Sequence, residues 1–174
     1  VPIADTEELE QVLNSFDEEY EYEEEIVTEN GRHYGKCRRR STLFTATTAL
    51  VYTGLLPVIK ERVTLFLPDD IAFAKAGLYP WNICKVPRDV LKNILLYHAA
   101  GGSIFAKDLP ACSLQMVNEN TIGFEFKRNK VLIKDASNER SQILLTDRRA
   151  CKAVFHVISK VLEPPSMTLV DIAS

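Results

Sequence analysis

"VTLFLPDDIAFAKAG", Val63–Gly77, is the stretch that decides how this chain is read. A short apolar run, Val63 to Leu67, meets Pro68, then two aspartates, a brief helical pattern and a glycine. Proline cannot donate to a sheet ladder, so it closes the strand. Aspartate accepts from the free N–H groups of a helix start, and glycine takes the left-handed angles that end one. The stretch therefore predicts a buried strand handed directly to a helix over Ile71 to Ala76. Asp69 and Asp70 could instead be a carboxylate pair for acid–base or metal chemistry. An abrupt strand-to-helix junction needs a cap, worth about 1 kcal/mol. Asp69, Asp70 and Gly77 are accordingly read as structural.

Outward from this junction, "STLFTATTALVYTG" predicts a helix with Ser41 as N-cap and Gly54 as stop. "PRDVLKNILLYHAAGG" is the clearest helix, with Val90, Leu91, Ile94 and Leu95 on one face. Strands follow: "TIGFEFK", "KVLIK", "QILLT" and "CKAVFHVISKVL". Helices early and strands late define an α+β class.

The 174 residues are 46% hydrophobic and 26% charged, a composition able to bury a core. No apolar run approaches the roughly 20 residues of a membrane helix. The net charge of −3 conceals an asymmetry. Residues 1–30 hold 12 of the 24 acids and no Lys or Arg, which leaves 21 basic residues against the other 12 acids, a surplus of +9 beyond residue 30. That surplus suits an anionic partner, and the acidic segment could fold back on its own body or meet a basic protein.

Within residues 5–26, Leu9, Val12, Leu13, Phe16 and Tyr20 recur at helical spacing among acids, which predicts an amphipathic helix. Leu9, Val12, Leu13 and Phe16 are then the stripe of a docking arm, set against the alternative of a solvated tail. "ENGRHYGKCRRR" reads as a linker, with Lys36, Arg38, Arg39 and Arg40 as a docking strip for an acidic surface. Residues 1–40 form an extension on this reading, and residues 41–174 the domain. The strip lacks the aromatic interleaving of a nucleic-acid site.

Cys37, Cys84, Cys112 and Cys151 are too widely spaced for a zinc ribbon or a redox pair. Two disulfides in an oxidising compartment, or buried free thiols in a reducing one, both fit. His156 falls on the apolar face of an alternating strand and is read as core. Cys151 and His156 point to opposite faces and make a poor dyad. "GRHYGKC" is too short for a phosphate loop. No nucleophile, base and orienter can be assembled, so neither catalysis nor a cofactor or metal is expected.

Three segments carry a resemblance. "TLFLPDDIAFAKAG" resembles the first box of fasciclin-like domains, usually "TxFAPTDxAF". "LKNILLYHAAGG" is similar to their central Leu-rich helix with its Tyr-His end, and "CKAVFHVISKVLEPP" to their second box, "NGxxHxIDxVLxP". The chain departs from the pattern at Asp69, where the family has Thr, at Lys152-Ala153, which replaces Asn-Gly, and at Ser159, which replaces Asp. The resemblance spans residues 41–165 and implies a wedge of strands with helices along one edge. It further implies an extracytoplasmic, non-catalytic adhesion or binding module, secreted or at the cell surface, whose partners are proteins or anionic polysaccharide. By residue match, partner contact falls on Leu95, Leu96, Tyr97 and His98. A competing reading is an accessory subunit of a large membrane assembly, for example in the thylakoid lumen, docked through the N-terminal arm.

Overall fold

The computed structural model describes residues 2–57, 62–110, 113–127, 130–150 and 152–164. Helix α1 (Pro2–Ser15) leads into a hairpin, β1 (Asp17–Thr28) and β2 (Gly31–Thr42). Then come α2 (Phe44–Thr53), β3 (Val63–Pro68), α3 (Asp70–Lys75), α4 (Arg88–Leu96) and the short β4 (Ala99–Gly101). The remaining strands are β5 (Ser113–Gln115), β6 (Thr121–Lys127), β7 (Lys130–Lys134), β8 (Arg140–Ala150) and β9 (Ala153–Ile158). Seven strands form one sheet in the order β4-β3-β9-β8-β7-β6-β5. Among the described strands only β3 and β9 run parallel.

Every residue of β3 and of β9 is buried, as strands covered on both faces must be. One core lies between these strands and the helices and includes Leu65, Phe73, Leu91, Ile94 and Phe155. A second, around Phe66, Tyr97, Phe124 and Ile133, fills the other side. The architecture is the α+β wedge with helices along an edge.

The extension is where the structure corrects the sequence reading. The helix stops at Ser15, and residues 17–28 are strand. Tyr20 and Tyr22 alternate with acids, a period-2 pattern that the helical count from Leu9 to Phe16 obscured. The basic segment is no linker but the partner strand. Glu19 stands opposite Arg40, Glu21 opposite Arg38 and Glu23 opposite Lys36. On this outer face Arg38 pairs with Glu19 at 3.2 Å, and Arg40 pairs with Asp17. Opposite charges directly across a ladder stabilise it, whereas the acids alone would repel.

The apolar stripe of α1 is also spoken for. Leu9 and Leu13 are fully buried in the first core, with Val12 and Phe16 packed against it. Phe16 meets Phe155 edge to face at 5.4 Å between ring centres. Leu9 and Leu13 are part of the domain's own interior, and Val12 and Phe16 are half-buried at its margin.

Candidate binding cleft

Asp69 and Asp70 cap two different helices. Asp69 accepts the Ala72 N–H at 2.9 Å and so caps α3. Arg39 donates to both of its oxygens, at 2.7 and 2.6 Å, and Ser41 donates at 2.7 Å. Asp70 reaches the other way. It accepts the Thr45 N–H at 2.7 Å at the start of α2, together with the Thr42 hydroxyl. Ser41, expected to cap α2, lies instead in β2, buried against Asp69.

The Arg39–Asp69 pair has side chains 4% and 0% exposed. Burial works against the charge on Arg39, but the hydrogen bonds and attraction from Asp69 prevail and its pKa is raised. Tyr20 shares Ser41 through a 2.7 Å hydroxyl contact, and burial pushes the phenol up to about 12. A second tie joins the hairpin to β8: Arg148 holds Glu18 through two bonds of 2.6 and 2.8 Å. Arg148 has this role through its position on the long strand β8 beside the hairpin.

Leu95, Tyr97 and His98 are buried, and Leu96 is partly buried against the first core. The Tyr97 hydroxyl donates to the Thr121 carbonyl at 2.8 Å. His98 Nδ1 donates to the Ile94 carbonyl at 2.7 Å, while Nε2 accepts the Leu162 N–H at 2.9 Å. Acceptance at Nε2 requires the neutral ring, and burial lowers its pKa to about 4. The Tyr-His element therefore braces α4 against the chain after β9 and offers no surface contact of its own. His156 is likewise enclosed. It stacks on Phe66, accepts the Asp147 N–H at 3.1 Å and donates to the Ile104 carbonyl at 2.9 Å. Burial lowers its pKa too. Gly77 takes φ +79° just after α3, the left-handed angle its position requires.

Cys37 and Cys84 are free thiols, so two bridges joining all four cysteines are not the state seen. Cys112 and Cys151 lie outside the described residues.

What the structure assembles, and the sequence did not disclose, is a cleft of about 280 Å³ between the hairpin and the outer strands. Lys127, Lys130, Arg140 and Lys160 line it, against one carboxylate, Glu24. Tyr34, Gln142 and Ser159 contribute an aromatic face, an amide and a hydroxyl. The Lys130 ammonium sits 4.6 Å from the centre of the Tyr34 ring. Gln142 bridges the two walls by donating to the Glu23 carbonyl at 3.4 Å. Glu125 holds Arg140 at 3.1 Å and Lys127 at 3.8 Å, and Glu139 holds Lys160 at 3.6 Å. The four cations arrive from β6, β7, β8 and the segment after β9, which are 33 residues apart in sequence. Only the +9 surplus hinted at them.

The fold is a sheet wedge edged by helices and braced by a buried Tyr-His element. The Fasciclin domain family model matches residues 41–164, and the chain belongs to that family. An uncharacterized protein of Synechocystis sp., sll1735, is 34% identical over 122 residues, covering 63% of this chain and 86% of its own. Among solved structures, a FAS1 domain pair from the insect cell adhesion molecule Fasciclin I matches with a TM-score of 0.57 at 13% identity, over 95% of this chain and 76% of that one. That likeness establishes the fold. The family is in general one of non-catalytic binding and adhesion domains, typically extracellular or at the surface.

Proposed function

We propose that this chain is an extracytoplasmic, non-catalytic binding module that holds an anionic partner, acidic polysaccharide foremost, in the cleft between hairpin and sheet. The observation that carries this reading is the lining: four cations against one lining carboxylate, three of them also held from outside the lining by Glu125 and Glu139, with the exposed Tyr34 ring beside Lys130. Low-dielectric walls focus such a field, and an aromatic face with amide and hydroxyl neighbours suits a sugar ring carrying a carboxylate. Of the acids in the extension, Asp17, Glu18 and Glu19 are engaged by Arg40, Arg148 and Arg38, and Glu24 is the one that lines the cleft.

The assembly-subunit reading required the arm as an anchor. Leu9 and Leu13 are core residues, which removes that support and favours the first reading.

The test is retention on immobilised polysaccharides. A uronic-acid polymer should retain the protein at low salt and release it as salt rises, since exposed charges are screened within about 10 Å at 0.1 M. A neutral glucan should not retain it. Equal retention on both, or on neither, contradicts the proposal.

A further inference from the structure

A second surface, which shares no residue with the cleft lining, carries its own reading. Trp81 is 77% exposed, the most exposed large hydrophobic side chain described. It projects from the turn Tyr79–Asn82, and a stacked Tyr79 backs it, ring centres 4.6 Å apart and 7° from parallel. The turn is tightly closed. Asn82 Oδ1 accepts the Tyr79 N–H at 2.7 Å, Asn82 Nδ2 donates to the Gly77 carbonyl at 3.1 Å, and the Ile83 N–H donates to the Tyr79 carbonyl at 2.9 Å. These bonds fix the turn that carries the indole, and the Tyr79 ring backs it.

Its neighbours in the sequence are cationic. Between Ile71 and Lys92 the chain carries Lys75, Lys85, Arg88 and Lys92 against the single acid Asp89. All four cations are exposed, and none is in an ion pair among the described residues. Arg88 lies over the Tyr52 ring at 4.9 Å. A projecting tip cannot enclose a small molecule, and it lacks the surrounding walls of a peptide groove. It can enter a soft layer. Tryptophan and tyrosine favour the headgroup level of a bilayer, where the ring is half in apolar and half in polar surroundings. Exposed lysines that neighbour them in the sequence are drawn to anionic lipid.

We propose that the Tyr79–Trp81 tip and its cations form a peripheral anchor for an anionic lipid surface, with the indole seated among the headgroups. No described helix is long and apolar enough to cross a membrane, so contact through this tip is interfacial. The proposal does not rest on the cleft.

Trp81 is the one tryptophan of the chain, so its fluorescence reports this site alone. The full chain is mixed with vesicles of phosphatidylglycerol and phosphatidylcholine, or of phosphatidylcholine only. The anionic vesicles should shift the emission to shorter wavelength, shield it from an aqueous quencher and sediment the protein; neutral vesicles should do none of these. Trp81→Ala should abolish sedimentation with its circular dichroism unchanged. Lys75→Gln and Lys85→Gln should each weaken partition about fivefold. The pair Lys127→Glu and Lys130→Glu, in the cleft, should leave vesicle binding intact. Unchanged emission with no sedimentation overturns the proposal. So does vesicle binding that survives Trp81→Ala or is lost with the cleft lysines, because lipid is then held elsewhere.

Discussion

Arg39 of the hairpin grips Asp69 of the strand-to-helix junction with two bonds, both side chains almost wholly inside the protein. The position that is threonine in the usual box is aspartate here, and the arginine that answers it comes from outside the residues the family model matches. The extension and the departure from the family pattern are two halves of one contact.

Removing one partner leaves an uncompensated buried charge, which costs about 3–5 kcal/mol. Arg39→Leu and Asp69→Thr should each destabilise to that extent in urea unfolding. The double variant should recover much of the loss, because threonine still caps and no charge is left alone. Strictly additive losses would show that the two side chains act independently.

Leu9 and Leu13 should behave as core residues. Each substitution to alanine should lower stability by about 2–5 kcal/mol, the range for deleting a buried leucine side chain. Their midpoint shifts in urea should exceed that of Asn14→Ala, an exposed neighbour on the same helix. Equal, negligible shifts would return α1 to the status of a tail.

Acid should weaken the fold through His98. Its pKa is about 4 in the native protein and 6.5 ordinarily, so the unfolded chain takes up the proton first. Stability contributed by the neutral ring is complete above about pH 6.5 and falls as the pH drops toward 4, by roughly 3 kcal/mol. His156 acts in the same direction. Urea midpoints across this window should fall with pH, and His98→Gln should flatten the dependence. The Glu18–Arg148 pair weakens at lower pH still, since the hydrogen bond from Arg148 outweighs burial and holds the Glu18 carboxyl below its ordinary 4.5.

Cys84 is exposed and unbridged. A maleimide should therefore label it in the native protein without reductant, and peptide mass mapping would locate the adduct. Labelling that needs prior reduction would contradict the free thiol.

How much of this was readable beforehand depends on the range of the interaction. The Val63–Gly77 junction is local: a proline, a cap and a glycine act within a few residues, and sequence shows them. The buried helix around Leu91 and Ile94 was legible by its periodicity. The hairpin was not, because its pattern is relational. Twelve residues of β1 make sense as strand only opposite twelve of β2, where Arg40, Arg38 and Lys36 answer Glu19, Glu21 and Glu23. Counting apolar residues from Leu9 carried the helix past Ser15 for want of that partner. The cleft was least legible. Lys127, Lys130, Arg140 and Lys160 read singly as surface charges, and only the sheet order of β6, β7 and β8 gathers them.

The central claim is that this cleft binds anions. Its most direct test is calorimetric titration of a defined uronic-acid oligosaccharide into the wild-type protein and into the Lys127→Glu, Lys130→Glu pair, at two salt concentrations. The account expects wild-type binding that weakens with salt, and a loss of about tenfold or more in the variant at unchanged stability. Affinity that is the same in both proteins, or absent from the wild type, would contradict it.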